Sequence, residues 1–403
     1  MRLSSANAYD NALQNIYARQ SELAGQQEKL TSGKNVNRVS DDPTGAAQAE
    51  RALTRLSRIA SDNRSLEVQR SALTLAESTL GDATSVVQRL RELTVSAGNG
   101  AYSASDRSSI AKEMTGLREQ LFAMANSRDS NGTPLFGGLG SASAPFSDSA
   151  SGVSFNGVAG QQAGTEVGLP TAMDGQAVWM NVRSGNGSFN LATGTSNTGN
   201  LWTNIGQVLN PTALTGHDYS VTFTVAPGVG GATTYSVQDN TTTTTNPALP
   251  SNQSYVPGQA ITFDGLSLVA NGTPADGDSV LVSPSSTTNM FKVIDDAIAA
   301  IGDSTATSSQ RAQATGLALT QIDTGMNQLQ AARSQAGQWL NRADQIQATQ
   351  EGRAVQLQAD KSRAEDLDMV KGISDFTRIQ TGYQAALQSY AQVQKLSLFN
   401  FIS

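Results

Sequence analysis

The chain has 403 residues, with 27 lysines and arginines against 34 aspartates and glutamates, a formal net charge of −7. It has no cysteine and one histidine, His217, which excludes disulfides, thiol chemistry, thiolate metal sites and any His-rich zinc site. A net acidic chain without basic blocks is a poor ligand for nucleic-acid phosphates, and no apolar run approaches the ~18 residues of a membrane span, so neither nucleic acid nor membrane is expected as a partner.

The first element in chain order is a helix. Tyr9, Leu13, Ile16, Leu23 and Leu30, with Gln20 and Gln27 between them, keep the alternating three- and four-residue spacing of a coiled-coil-like seam. Gly33 ends it, and Asp42-Pro43 reads as an N-cap followed by proline at the first helical position. The next helix carries Ala49, Leu53, Leu56, Leu66, Leu73, Ala76, Leu80, Ala83, Val87 and Leu90 and stops near Gly98-Asn99-Gly100. A third starts around Ser105-Asp106 and runs through Ile110, Met114, Leu117, Leu121 and Met124. The opening Met1-Arg2-Leu3-Ser4-Ser5 turns polar at once, so no secretory leader is expected.

The composition then changes. Residues 132–288 hold 10 of the 11 prolines, 23 of the 37 glycines, one basic residue and eight acidic ones, so this stretch carries the whole net charge. It reads as β. Tyr219 to Val225 alternates with period two, Pro227 to Gly231 makes a turn, and Thr233 to Val237 returns, which predicts a hairpin. Further strands are expected at Val178-Trp179-Met180-Asn181-Val182, Ile261-Thr262-Phe263, Leu266 to Val269 and Ser279 to Val282, with a turn at Asp276-Gly277-Asp278. Leu201, Ile205 and Val208 predict one short helix closed by Asn210-Pro211, and Thr241 to Thr245 an exposed loop.

Helical spacing resumes with Leu319, Ile322, Met326, Leu329, Ala336, Leu340 and Ala343, later joined by Ala354 and Leu357. The last segment, Phe376, Ile379, Tyr383, Ala386, Tyr390 and Val393, keeps strict seam spacing. Two helical ends around a β insert must meet. The expected architecture is therefore α+β and multidomain: long antiparallel, coiled-coil-like rods from both chain ends, with an all-β domain inserted between them. The expected divisions are 1–131, 132–288 and 289–403. Many seam positions are Gln or Ala and the C-terminal flank holds seven glycines, each costing a helix roughly 0.8–1 kcal/mol relative to Ala. Such ends are expected to be marginal alone and to order on assembly.

The sequence carries few signs of chemistry. No phosphate loop and no dinucleotide fingerprint is present, and the glycine clusters at 137–140 and 228–231 lie in turn-rich sequence. His217 precedes a strand and reads as a surface turn residue. Asp41-Asp42 reads as a cap, and Glu365, Asp366 and Asp368, near Lys361, Arg363 and Lys371, as a solvated or intersubunit charge pattern. The insert has acids enough for a two-carboxylate glycosidase, but nothing in the spacing pairs them. No enzymatic activity, cofactor or metal is expected.

Two stretches carry a resemblance. The first is Leu30-Thr31-Ser32-Gly33-Lys34-Asn35-Val36-Asn37-Arg38-Val39-Ser40-Asp41-Asp42-Pro43-Thr44-Gly45-Ala46-Ala47. The second is Ser362-Arg363-Ala364-Glu365-Asp366-Leu367-Asp368, followed by Tyr383 to Leu387 and Leu396 to Phe399. Both resemble the bacterial flagellin family, over about 1–140 and 289–403. Within it, the opening Met1 to Ser5 and the closing Leu396 to Ile402 are similar to the members at the hook–filament junction. One departure is Pro134, where similar proteins tend to carry an aromatic.

The resemblance implies a structural, extracellular role in the flagellum. Subunits would be exported unfolded through the flagellar type III apparatus, guarded by a cytosolic chaperone on the C-terminal helix. They would form a homo-oligomeric ring between the first hook-associated junction protein and the flagellin filament. The residues expected to carry assembly are the seams Leu13, Ile16, Leu23, Leu30, Phe376, Ile379, Tyr383, Tyr390 and Val393. The motif residues are Gly33, Asp41, Asp42, Pro43, Glu365 and Asp366. The competing readings are a minor flagellin that forms filament, and a secreted adhesin or glycan-binding protein acting through its insert.

Overall fold

The structure, a computed structural model, describes residues 5–140, 144–228, 231–242 and 248–402, with side chains described between 10 and 392. It divides into two compact units, Met1–Ser65 with Gln345–Ser403, and Leu66–Asp344. Three helices open the chain: α1 (Ser5–Ser32), α2 (Pro43–Ala97) and α3 (Ala104–Ala125). Three close it: α4 (Met290–Gly302), α5 (Ser308–Glu365) and α6 (Met369–Ile402). Among the described residues no helix is long and apolar enough to cross a membrane. The division between the units falls inside α2 and α5, so each of these helices contributes to both.

Between α3 and α4 lie β1 (Phe146–Ser149), β2 (Gly152–Phe155), β3 (Val182–Arg183), β4 (Phe189–Thr193), β5 (Trp202–Thr203), β6 (Gln207–Val208) and β7 (Tyr219–Val225). Then come β8 (Thr233–Asp239), β9 (Gln253–Ser254), β10 (Ala260–Phe263), β11 (Leu266–Asn271), β12 (Ser279–Pro284) and β13 (Thr287–Thr288). The largest sheet has the order β4-β12-β7-β8-β9, all antiparallel, and a second sheet is built on β11 with β10, β5 and β6. The β7–β8 hairpin is in the expected place, with Val221 opposite Val237. Gly277, at φ +86°, makes the turn before β12. Of the expected loop at 241–245, Thr241 and Thr242 are exposed and the rest lies outside the described residues, as do residues 229 and 230 of the hairpin turn.

The Leu66–Asp344 unit holds two hydrophobic cores. One collects Leu73, Leu80 and Leu90 of α2, Met114 and Leu121 of α3, Phe291 and Ile294 of α4, and Ile322 and Leu329 of α5. The inner helices thus use their stripes within the chain. Leu135, Phe136 and Trp179 join the same core. The other core is β-based, from Tyr219, Val221, Phe223, Leu268 and Val280.

Two expectations fail in the middle. Gln176–Met180 is a π-helical turn, and of the expected strand only Val182 is extended, in the two-residue β3 with Arg183. Trp179 is fully buried, stacked on Phe291 at 6.0 Å and edge-on to Phe136 at 5.5 Å. A five-residue run, apolar except for Asn181, is shorter than two turns, so burial satisfies either period and tertiary packing chooses. Conversely, Leu201 to Val208 forms no helix. Trp202 and Thr203 pair with Asn271 and Ala270, and Gln207 and Val208 with Ser267 and Leu266, so the spacing of four places two short strands against one long one. Pro211 starts a three-residue 3-10 turn whose N-cap is Asn210. His217 lies just before β7, as expected, and is half-buried, with its Nδ1 2.7 Å from Oδ2 of the buried Asp239 carboxylate.

Candidate functional site

The resemblance motifs, more than 300 residues apart in sequence, meet in the unit formed by Met1–Ser65 and Gln345–Ser403. α1 ends at Gly33, whose φ of +70° is left-handed and favours glycine. The loop then folds on its own acids. The Asp41 carboxylate accepts the N–H groups of Asn37 at 3.1 Å and Arg38 at 2.9 Å. The backbone donor of Arg38, foremost, holds the Asp41 carboxyl below the usual range. Asp42 Oδ1 accepts from the N–H groups of Thr44 and Gly45, both at 3.0 Å, and so caps α2, with Pro43 as its first residue.

The turn between α5 and α6 closes onto this loop. The Glu365 carbonyl accepts from Asn35 N–H at 2.8 Å and Val36 N–H at 3.3 Å, and the Gly33 carbonyl from Leu367 N–H at 2.9 Å. Lys34 and Asp366 form a single β-bridge. The Lys34 ammonium pairs with the Glu365 carboxylate, which also faces Lys361 at 3.8 Å. Hydrogen bonding to Glu365, foremost, raises the Lys34 pKa. Ser362 donates to Asp366, and Asp368 caps α6 by accepting from Val370 at 3.0 Å and Lys371 at 3.1 Å. Gln26 of α1 donates to the Gly372 carbonyl at 3.1 Å. A Cβ on Gly45 would lie 2.7 Å from Asp42 Oδ2 and 3.0 Å from the Ala364 carbonyl, so this position admits only glycine at the present spacing. Beside the junction opens a groove of about 640 Å³, apolar at Val36, Val39 and Leu53 and basic at Lys34, Arg38 and Lys361.

The seams flank this junction. α1 packs on α6. Ile16 is buried, and Leu13, Leu23, Leu30, Phe376, Ile379, Tyr383 and Tyr390 are each half-buried. The side chains of Tyr9 and Val393 lie outside those described. Apolar surface remains beside the seam at Met369, Val370, Ile373 and Leu387, with Val370 82% exposed. A two-helix contact thus covers only part of the apolar arc of α6. Among the described residues no group of three or more His, Cys, Asp or Glu is placed to hold a metal ion.

Gly33, Asp41, Asp42, Pro43, Glu365 and Asp366 are therefore brought together. Periodicity does not reveal Lys34, Asn35 or Leu367 as their partners, because bonds between distant backbone groups leave no spacing signal. Asp368, read in the sequence as part of an acidic charge pattern, instead caps α6, in keeping with an aspartate one residue before a helix.

The family described as the bacterial flagellin N-terminal helical region matches residues 3–141, and the bacterial flagellin C-terminal helical region matches residues 319–402, together more than half of the chain. Flagellar hook-associated protein 3 of Escherichia coli is 26% identical over 409 aligned positions, covering 99% of each chain. The Salmonella typhimurium protein of the same name is 36% identical over 156 residues, 38% of this chain and about half (48%) of that one. The flagellar junction protein FlgL of Legionella pneumophila superposes with a TM-score of 0.67 at 29% identity, over 74% of this chain and 99% of that one. With both terminal regions matched and a likeness that runs end to end, the chain belongs to the bacterial flagellin family, in the group represented by flagellar hook-associated protein 3.

Proposed function

We propose that this chain is a structural adaptor of the bacterial flagellum, located extracellularly at the junction of hook and filament. Copies form a ring that joins the first hook-associated junction protein to the flagellin filament, and motility depends on it. The observation that supports this best is the end-to-end likeness to hook-associated protein 3, which includes the insert as well as the helical ends. In this reading 1–131 and 289–403 are the assembling segments and 132–288 is the insert they carry. The seams, Leu13, Ile16, Leu23 and Leu30 against Phe376, Ile379, Tyr383 and Tyr390, hold α1 on α6 and offer their uncovered surface to neighbouring subunits. The motif residues Gly33, Asp41, Asp42, Pro43, Glu365 and Asp366 fix where those helices turn. The chain is exported through the flagellar type III apparatus, with a cytosolic chaperone on its C-terminal helix, and it catalyses no reaction.

The test is deletion of the gene. The expected strain builds hooks, releases flagellin into the medium, carries no filaments and does not swim. Normal filaments in the deletion strain would reject the proposal.

A further inference from the structure

A second groove lies on the opposite side of the same α2 segment, next to the Ala364 that faces Gly45. It measures about 460 Å³ and runs between α2 and α5, with Arg51 and Arg55 on one wall and Leu357, Asp360 and Arg363 on the other. Three guanidinium groups therefore face one carboxylate. Arg363 pairs with Asp360, and Arg51 donates through Nε to the Ala47 carbonyl at 3.0 Å. Among the described residues neither Arg51 nor Arg55 has an ion pair, and both are exposed. They stand four residues apart on one helix face, a like-charge spacing that weakens a helix. Arginine forks are suited to gripping carboxylates with two parallel bonds.

The charge of the two units says which carboxylates. The unit of Met1–Ser65 and Gln345–Ser403 has 15 basic and 13 acidic residues, a net +2. The unit Leu66–Asp344 has 12 basic and 21 acidic residues, a net −9. On its helices Glu67, Asp82 and Glu119 are exposed and have no ion pair among the described residues. The net positive unit thus keeps an arginine-lined groove, and its complement is the net negative unit of another copy. We propose that the Arg51–Arg55–Arg363 groove is a copy-to-copy docking site that receives exposed carboxylates from the Leu66–Asp344 unit of a neighbouring subunit. This inference rests on the ring reading and adds the contact that sets neighbour against neighbour. Such a contact is salt-sensitive and steers association more than it adds affinity.

The test uses the full-length chain expressed in the deletion strain. Wild type should restore filaments. The Arg51→Glu/Arg55→Glu double variant should be exported at wild-type level and melt as wild type by circular dichroism, yet be recovered on isolated hooks at least tenfold less. The Arg51→Lys/Arg55→Lys variant keeps the charge and should recover most of the incorporation. Because the chain has no cysteine, Gln48→Cys places a single thiol at the groove. A short thiol-anchored photocrosslinker there should join two copies of the chain, with the second attachment mapping to Leu66–Asp344. Wild-type incorporation by the Glu variant, or a crosslink to another protein or to the other unit, overturns the docking site. Failure of wild type to restore filaments overturns the ring reading instead.

Discussion

At the scale of single residues, the chain separates positions that need a backbone from positions that need a charge. Gly33 has open space where a Cβ would stand, so Gly33→Ala meets only the left-handed backbone and should cost about 1 kcal/mol. Gly45→Ala collides with the Asp42 cap and the Ala364 carbonyl, and should do more damage. Hydrogen exchange at the Asn35, Val36 and Leu367 amides reads both, and equal protection in the two variants would contradict this ranking. Arg118 is a charged case. Its guanidinium is nearly enclosed, forks onto Asp295 at 3.0 and 3.1 Å, pairs with Asp148, and lies over the rings of Phe122 and Phe291. Burial works against its charge, and the two carboxylates outweigh that and raise its pKa. Arg118→Ala should cost about 2 kcal/mol in urea unfolding, a figure reduced because both acids are partly exposed.

Asp239 gives a pH dependence. Burial disfavours its ionised form, but bonds from His217, Thr241 and Thr242 prevail and hold its pKa at about 2. The depressed value means that its contribution is complete above 3.8 and disappears as pH falls toward about 2. By calorimetry, the melting temperature of wild type should exceed that of Asp239→Asn above pH 4. That gap should close toward pH 2, and a gap constant across the range would refute the assignment.

At the scale of elements, the helices were readable because their signals are long and punctuated. Asp42 before Pro43, Gly33 after α1 and the seam spacing of α6 each mark an end or a face. Ser103 caps α3 and forms a capping box with Asp106. The failures share one cause. Residues 178–182 and 201–208 are too short for either period to dominate, and each took the conformation that buried Trp179 or paired with β11. α4 escaped notice although it is the most thoroughly buried helix, with Met290, Phe291, Val293, Ile294, Ala297 and Ile301 inside. Its stripe is plain, with Lys292, Asp296 and Ala299 exposed on the other face, but it is only 13 residues long and follows directly on the last strand. The seam helices yield a prediction at this scale. Replacing Ile379, Tyr383 and Tyr390 together with serine should remove about 3 kcal/mol of apolar burial between α1 and α6. Trp179, Trp202 and Trp339 all lie in the Leu66–Asp344 unit, so tryptophan fluorescence should not change while incorporation into flagella falls. A shifted tryptophan spectrum would show that the seam reaches further than assigned.

At the scale of the whole molecule, the net charge of −7 is not evenly shared. The sequence places all of it in 132–288, whereas the compact units partition it as +2 and −9. The partition was invisible in the sequence because it depends on where α2 and α5 pass from one unit to the other. The meeting of the two motifs was equally hidden, and it has a consequence for how the chain is made. Gln26 and Gly372, bonded across the junction, are separated by 346 residues. No local segment can rehearse such a contact, and closing so long a loop is among the slowest things a chain does. The Gln26 side chain and the Asn35 and Val36 amides wait for carbonyls that are synthesised almost last. The junction is thus a proofreading contact for completeness. A chain interrupted before Glu365 can fold its insert and its buried helices, but it leaves the amides of Asn35 and Val36 unanswered and α1 without a companion.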